Sequence, residues 1–170
     1  MSDAPKSKTL ATWLALLGGV FGLHRFYLHG FRDRLGWLHP VPTLLGWHGV
    51  VRLREYGVDD RLAGMLLPML GLMLALAMLT AIVHGLTPDE RWNLRYNPAR
   101  PAAPSGWGVV LGVIVALAVG ATALLSTIAY TAQRLFERPA AALAGTSVAP
   151  RARLEPAAAA HSGPHSSAPD

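Results

Sequence analysis

The sequence predicts an all-α, multi-pass transmembrane helical bundle of about four spans, with a short interfacial helix and a disordered C-terminal tail. Three observations predict it. Of 170 residues, 52% are hydrophobic and only 15% are charged, where a soluble domain carries about a quarter charged residues. The charges are clustered, leaving uncharged runs at Leu35–Val51, Leu62–Pro88 and Pro101–Gln133. Runs of that length and polarity suit a hydrocarbon core, which takes roughly 20 apolar residues per helix. Small residues also recur at spacings of three and four inside these runs, which lets helices approach closely in lipid.

Met1–Thr9 is short and polar and reads as an N-terminal tail. Lys6 and Lys8 followed by an apolar stretch imitate a secretory signal. No small-x-small cleavage site follows, so an uncleaved anchor is expected. Leu10–Leu28 reads as a first helical span. Ala11, Ala15, Gly18 and Gly22 fall on one face, with Gly18 and Gly22 forming a GxxxG pair. Arg25 continues that face near the end, where its long stem can carry the guanidinium to phosphate level. Phe26 and Tyr27 suit the same boundary. Gly22, His24, Arg25, Phe26 and Tyr27 are therefore the candidate interface residues, toward a lipid headgroup or a partner helix.

Lys6-Ser7-Lys8 before the apolar run, then Gly18-Gly19-x-x-Gly22-Leu23-His24-Arg25-Phe26-Tyr27-Leu28-x-Gly30, resembles the TM2 domain family. That resemblance implies a pair of spans joined by a short loop carrying the His-Arg-Phe-Tyr signature, over residues 10–57. It also implies a bacterial multi-pass membrane protein, and gives a fold and location more than an activity. The family's late acidic residue in the second span has no counterpart here; the nearest charged position is Arg52.

Leu35–Val51 holds Pro40 and Pro42, each lacking a backbone donor. A short piece at Leu35–His39, then a helix from about Pro42 to Tyr56, accommodates both prolines. Gly46 and Gly49 are expected to pack on Gly18 and Gly22. The alternative is a re-entrant or surface segment, which would change the parity of the topology. Glu55–Arg61 is a charged connector, in which Asp59 and Asp60 favour a helix N-terminus. Leu62–Val83 is the most apolar span, with Pro68 expected to kink it. Residues 58–132 then hold two further spans, joined by a loop with a short amphipathic helix at 88–96. Thr87-Pro88-Asp89-Glu90 predicts its start as a capping box, with Trp92 and Tyr96 dipping into the interface. In Gly106–Ala132, Gly108, Gly112, Ala116 and Gly120 repeat every four residues. Together with Gly18 and Gly22 they are the candidate helix-packing residues. Residues 133–170 are rich in Ala, Pro and Ser and are expected to be disordered. No internal repeat is expected beyond the recurrence of glycine-containing spans.

Chemistry is disfavoured. All ten carboxylates fall in loops or tails, whereas a proton or cation relay needs an acid within a span. His24 and His29 are five apart and His39 and His48 nine apart, spacings that do not chelate from one helix face. Ser126 lacks a nucleophile-elbow context. The absence of cysteine excludes disulfides and thiolate metal sites. No enzyme activity, catalytic residue, cofactor or metal site is expected. The net charge of +5 suits anionic headgroups, and no basic stripe interleaved with aromatics points to nucleic acid. The expected partners are membrane lipids, and either a second copy of the chain or another membrane protein, through small-residue faces. The expected location is the inner (plasma) membrane. With four spans, seven basic residues lie on one side and six on the other, a difference that does not decide an orientation; both termini are read as cytoplasmic. The expected role is a non-enzymatic interaction protein; the competing class is a small transporter or channel subunit, in which Pro40, Pro42 and Pro68 break helices at membrane depth.

Overall fold

The computed structural model describes residues 4–147, with side chains described through residue 137. Every regular element among the described residues is a helix. Two are long and apolar enough to cross a membrane, α5 (Arg61–Leu86) and the Trp107–Glu137 part of α7 (Trp107–Ser147).

The first expected span is not one helix. α1 (Lys8–Gly18) ends in a single 3-10 turn, Gly19–Phe21, and α2 (Leu23–His29) starts afresh. Gly22 sits between them in the left-handed region, at φ 75°, where a side chain is disfavoured. A Cβ there would stand 2.6 Å from the carbonyl oxygen of Gly36, so both the turn and the close approach require glycine. The chain then doubles back. Tyr27 Oη accepts from Ser7 N at 2.8 Å, and Lys6 Nζ donates to the Leu28 carbonyl. The end of α2 thus lies beside the start of α1. A groove-forming GxxxG and a chain reversal share the same glycine spacing, and here the reversal wins. Thr43 Oγ1 donates to the Val20 carbonyl at 2.7 Å, satisfying one acceptor exposed by the break.

The next stretch follows the sequence closely. α3 (Arg34–Leu38) is short, and α4 (Pro40–Tyr56) begins on a proline, the first-turn position where a missing donor costs nothing. Gly46 and Gly49 do not pack on Gly18 and Gly22. They face Leu70 and Leu66 of α5 instead, forming an antiparallel α4–α5 hairpin. α5 is 26 residues long, or about 39 Å at 1.5 Å per residue. Pro68 lies inside it without ending it.

One motif occurs twice, contrary to the expectation of no repeat. Arg25 Nε meets Asp33 Oδ2 at 2.7 Å, and Arg52 Nε meets Asp60 Oδ2 at 2.7 Å. Each aspartate also caps the next helix, Asp33 through Leu35 N and Asp60 through Leu62 N and Ala63 N. Between each pair lies a glycine, Gly30 at φ 82° and Gly57 at φ 81°. Both have extended ψ, a combination open essentially to glycine alone. The arginines hold both aspartates below the usual carboxylate range.

α6 (Asp89–Tyr96) leads through an irregular segment to α7. Within Met1–Arg134, which forms one compact unit, the small residues of α7 meet α1 and α5. A Cβ at Gly112 would lie 3.1 Å from Thr12 Cγ2, one at Gly108 3.3 Å from Thr9 Cγ2, and one at Gly120 2.7 Å from Met78 Cβ. Trp13 Nε1 donates to the Gly108 carbonyl at 3.1 Å. Ala116 is fully buried in a core with Ala15, Ala77, Met78 and Ala81. This core is built from alanine and methionine, so helix backbones approach closely around it. A second unit begins at Leu135. Residues 133–147, expected to be disordered, are helical. Alanine is the strongest helix former, and Ala140–Ala144 holds four of them. The rest of the expected disordered tail lies outside the described residues.

Candidate functional site

The strapped N-terminal segment builds one end of Met1–Arg134. Asn97, only 6% exposed, grips the Lys6 peptide from both sides. Its Oδ1 accepts from Lys6 N at 2.7 Å and its Nδ2 donates to Lys6 O at 3.0 Å. Trp92 Nε1 donates to the same carbonyl at 2.9 Å. Trp92 is buried against Ala11 and Leu28, so the aromatic edge of α6 covers protein where the sequence suggested the interface. Nor does the capping box form. Pro88 is the N-cap and offers no side-chain acceptor, while Thr87 Oγ1 turns back to the Val83 carbonyl. Asp89 instead accepts from both the amide and the hydroxyl of Ser105.

Lys8 explains why Asp89 is held there. Its side chain is buried, and its Nζ lies 2.6 Å from Asp89 Oδ1 and 2.9 Å from the Thr87 carbonyl. A buried ammonium without such partners would be costly. Lys8, then Ser105, pull the Asp89 carboxyl down to about 2. A depressed acid stabilises the folded form above its unfolded pKa, and that contribution disappears as the pH falls through the folded value. The docked N-terminal segment is therefore expected to loosen between about pH 4, the free carboxylate range, and about pH 2. Anisotropy of a fluorophore on Ala4→Cys checks this. It should fall through that window in the parent chain, and should already be low at neutral pH in Asp89→Asn.

Beside this strap, three histidines from separate segments come together. His24 on α2 is 3% exposed. Its ring centroid lies 5.7 Å from that of His39, at the α3–α4 junction, and 5.8 Å from that of His84, near the end of α5. His84 also stands edge-on to Trp92 at 5.6 Å. The rings line a cavity of about 300 Å³, whose rim carries Arg25, Arg91 and Arg95. Among the described residues, no carboxylate lines it. Arg25 is held by Asp33, while Arg91 and Arg95 form no ion pair among the described residues. Two buried ring atoms, His24 Nδ1 and His84 Nε2, have no hydrogen-bond partner among the described residues. Buried polar atoms are paired in the great majority of cases, so these two invite a ligand or water.

No family model, no curated protein and no solved structure matches the chain. The cavity's own chemistry therefore has to decide what it accepts. Among the described residues, no group of three or more potential metal-ligating side chains is placed to hold a metal ion. Three guanidiniums at the rim also repel cations. Imidazole and guanidinium N–H groups around an acid-free cavity instead make a receptor for a negatively charged, oxygen-rich group.

Of the interface candidates, His24 and Arg25 reach this cavity. Phe26 stacks on Phe31 and meets Trp37 at a tilt, Tyr27 ties down Ser7, and Gly22 makes the turn. Of the packing candidates, Gly108, Gly112, Ala116 and Gly120 face α1 and α5 within the chain. Gly18 is buried against its neighbour Leu23, so it serves the same turn. The sequence reading missed His39, His84, Arg91 and Arg95 as a group. They come from three separate stretches of the chain, and only Arg91 and Arg95 share a helical spacing.

Proposed function

We propose that the chain is a multi-pass inner-membrane protein, related to the TM2 domain family, that makes a non-enzymatic contact with lipid at its histidine–arginine end. One observation carries the membrane reading. Only 17% of the most apolar window of each long helix is buried, whereas the core helix of a water-soluble protein is mostly covered. Leu72, Leu76, Leu79 and Val83 on α5, and Leu111, Ile114, Leu117, Leu125 and Ile128 on α7, are all exposed. Apolar faces of that extent do not persist in water on a monomer, and lipid covers them at no cost.

We read three crossings: α5 and α7, which are long and apolar enough to span, and α4, which packs antiparallel on α5. α1 and α2 form a re-entrant hairpin, which membranes tolerate where protein surrounds it. Up to Arg134, the end holding the cavity then carries Lys6, Lys8, Arg25, Arg32, Arg34, Arg91, Arg95 and Arg100. The other end carries Arg52, Arg54, Arg61 and Arg134. Counting Arg138, Arg151 and Arg153 as well gives eight against seven, and we place the N-terminus and the cavity on the cytoplasmic side, with the larger count.

The groove Gly108–Gly112–Ala116–Gly120 is filled by Thr9, Thr12, Trp13 and Met78 of the same chain, so these small residues assemble the protein itself. External contact falls to the cationic end. Among the described residues, no histidine or carboxylate lines the cleft beside Ser126, which Pro68, Thr127 and Tyr130 enclose, and this supports a non-enzymatic role. Membranes washed in alkaline carbonate should keep the protein, and only detergent should release it. Recovery of folded, monodisperse protein in the carbonate supernatant would contradict the proposal.

A further inference from the structure

We propose that the cavity between α2, the end of α5 and α6 binds a phosphate group. The proposal deepens the lipid-contact reading, and rests on it only for the expectation that the phosphate belongs to a headgroup. Charge selects an anion. Arg91 and Arg95 lie one helical turn apart on α6, so their guanidiniums share one rim, and neither is paired with an acid among the described residues. Geometry selects a compact anion with several acceptors. His24 and His84 line the cavity, their buried Nδ1 and Nε2 lack hydrogen-bond partners among the described residues, and a neutral imidazole ring can donate to an oxygen through whichever nitrogen carries the proton. Guanidinium forks match phosphate oxygens in pairs. A carboxylate has two oxygens for this donor set, and a phosphate has three or more. A volume of about 300 Å³ takes a phosphate with its first ester substituent, while a long acyl chain would have to lie outside. The surrounding surface offers room for one, because Leu35, Leu38 and Val41 next to the His39 wall are exposed and apolar.

A divalent metal on the three rings is the competing occupant. It would have to form beside three guanidiniums and with no carboxylate in the cavity, which opposes it electrostatically.

The test uses the full chain in a neutral maltoside micelle. Titrations are followed by calorimetry with inorganic phosphate, with short-chain phosphatidic acid, with short-chain phosphatidylcholine, and with zinc ion. Saturable binding of phosphatidic acid that inorganic phosphate does not displace supports a headgroup site. Saturable binding of inorganic phosphate itself supports a site for the free anion. In either case Arg91→Gln and Arg95→Gln should each weaken binding about tenfold, since a hydrogen bond to a charged group contributes roughly that factor. Arg32→Gln, an exposed cation outside the cavity, should leave it unchanged. Arg91 and Arg95 are exposed, so these variants are expected to fold, and unaltered thermal unfolding checks that. The proposal is overturned if neither phosphate probe saturates, if Arg32→Gln weakens binding as much as Arg95→Gln, or if zinc binds in its place. None of those outcomes would affect carbonate-resistant membrane association, so failure of the site and failure of the membrane reading remain distinguishable.

Discussion

Replacing Gly46 with leucine is expected to destabilise the protein by about 3 kcal/mol or more, the upper range for overpacking a close contact. The reason lies in what the new side chain would meet. A Cβ at Gly46 would stand 2.6 Å from the Leu70 amide nitrogen and 2.8 Å from Leu70 Cα. Those are backbone atoms of α5, which no rotamer change can move aside. The α4–α5 hairpin must open along its length, and Gly49 against Leu66, at 2.7 Å, would be pulled apart with it. Even Gly46→Ala should cost measurable stability. Gly106→Ala supplies the control, because nothing lies within 4 Å of that position. Thermal unfolding in mild detergent measures all three. A melting temperature for Gly46→Leu equal to that of Gly106→Ala would show that α4 and α5 do not touch there.

Much of this architecture is legible in the residues. The uncharged runs after Arg61 and around Gly106–Ala132 locate α5 and the apolar part of α7. Pro40 separates α3 from α4, and Asp60 caps α5 as an acid at that position should. What the residues hide is tertiary. Gly18 and Gly22 carry the spacing of a packing groove. Only contact with Gly36, fourteen positions further on, turns that spacing into a chain reversal. The His24–His39–His84 cluster has no period, because three elements with different directions deliver it. Thr87 to Glu90 satisfies the capping pattern locally, yet Thr87 stays on the end of α5, its hydroxyl and amide both donating to the Val83 carbonyl, and the box is unmade. The Arg-x4-Gly-x2-Asp staples are a different case. Both copies stand in the open sequence, at Arg25–Asp33 and Arg52–Asp60, but apolar periodicity gives them no weight.

The reversal at Gly22 matters most, since it sets which side of the membrane every later element occupies and brings His24 to His84. Labelling of single cysteines in the otherwise cysteine-free chain tests it directly. Ala4→Cys, Phe31→Cys and Val58→Cys would be treated in intact cells with a membrane-impermeant maleimide, then again after permeabilisation. A hairpin that enters and returns predicts that positions 4 and 31 behave alike, both protected until the cells are opened, while position 58 labels at once. If position 31 labels in intact cells while position 4 stays protected, Leu10–Leu28 crosses the membrane outright, and both the three-crossing topology and the cavity's assembly are wrong.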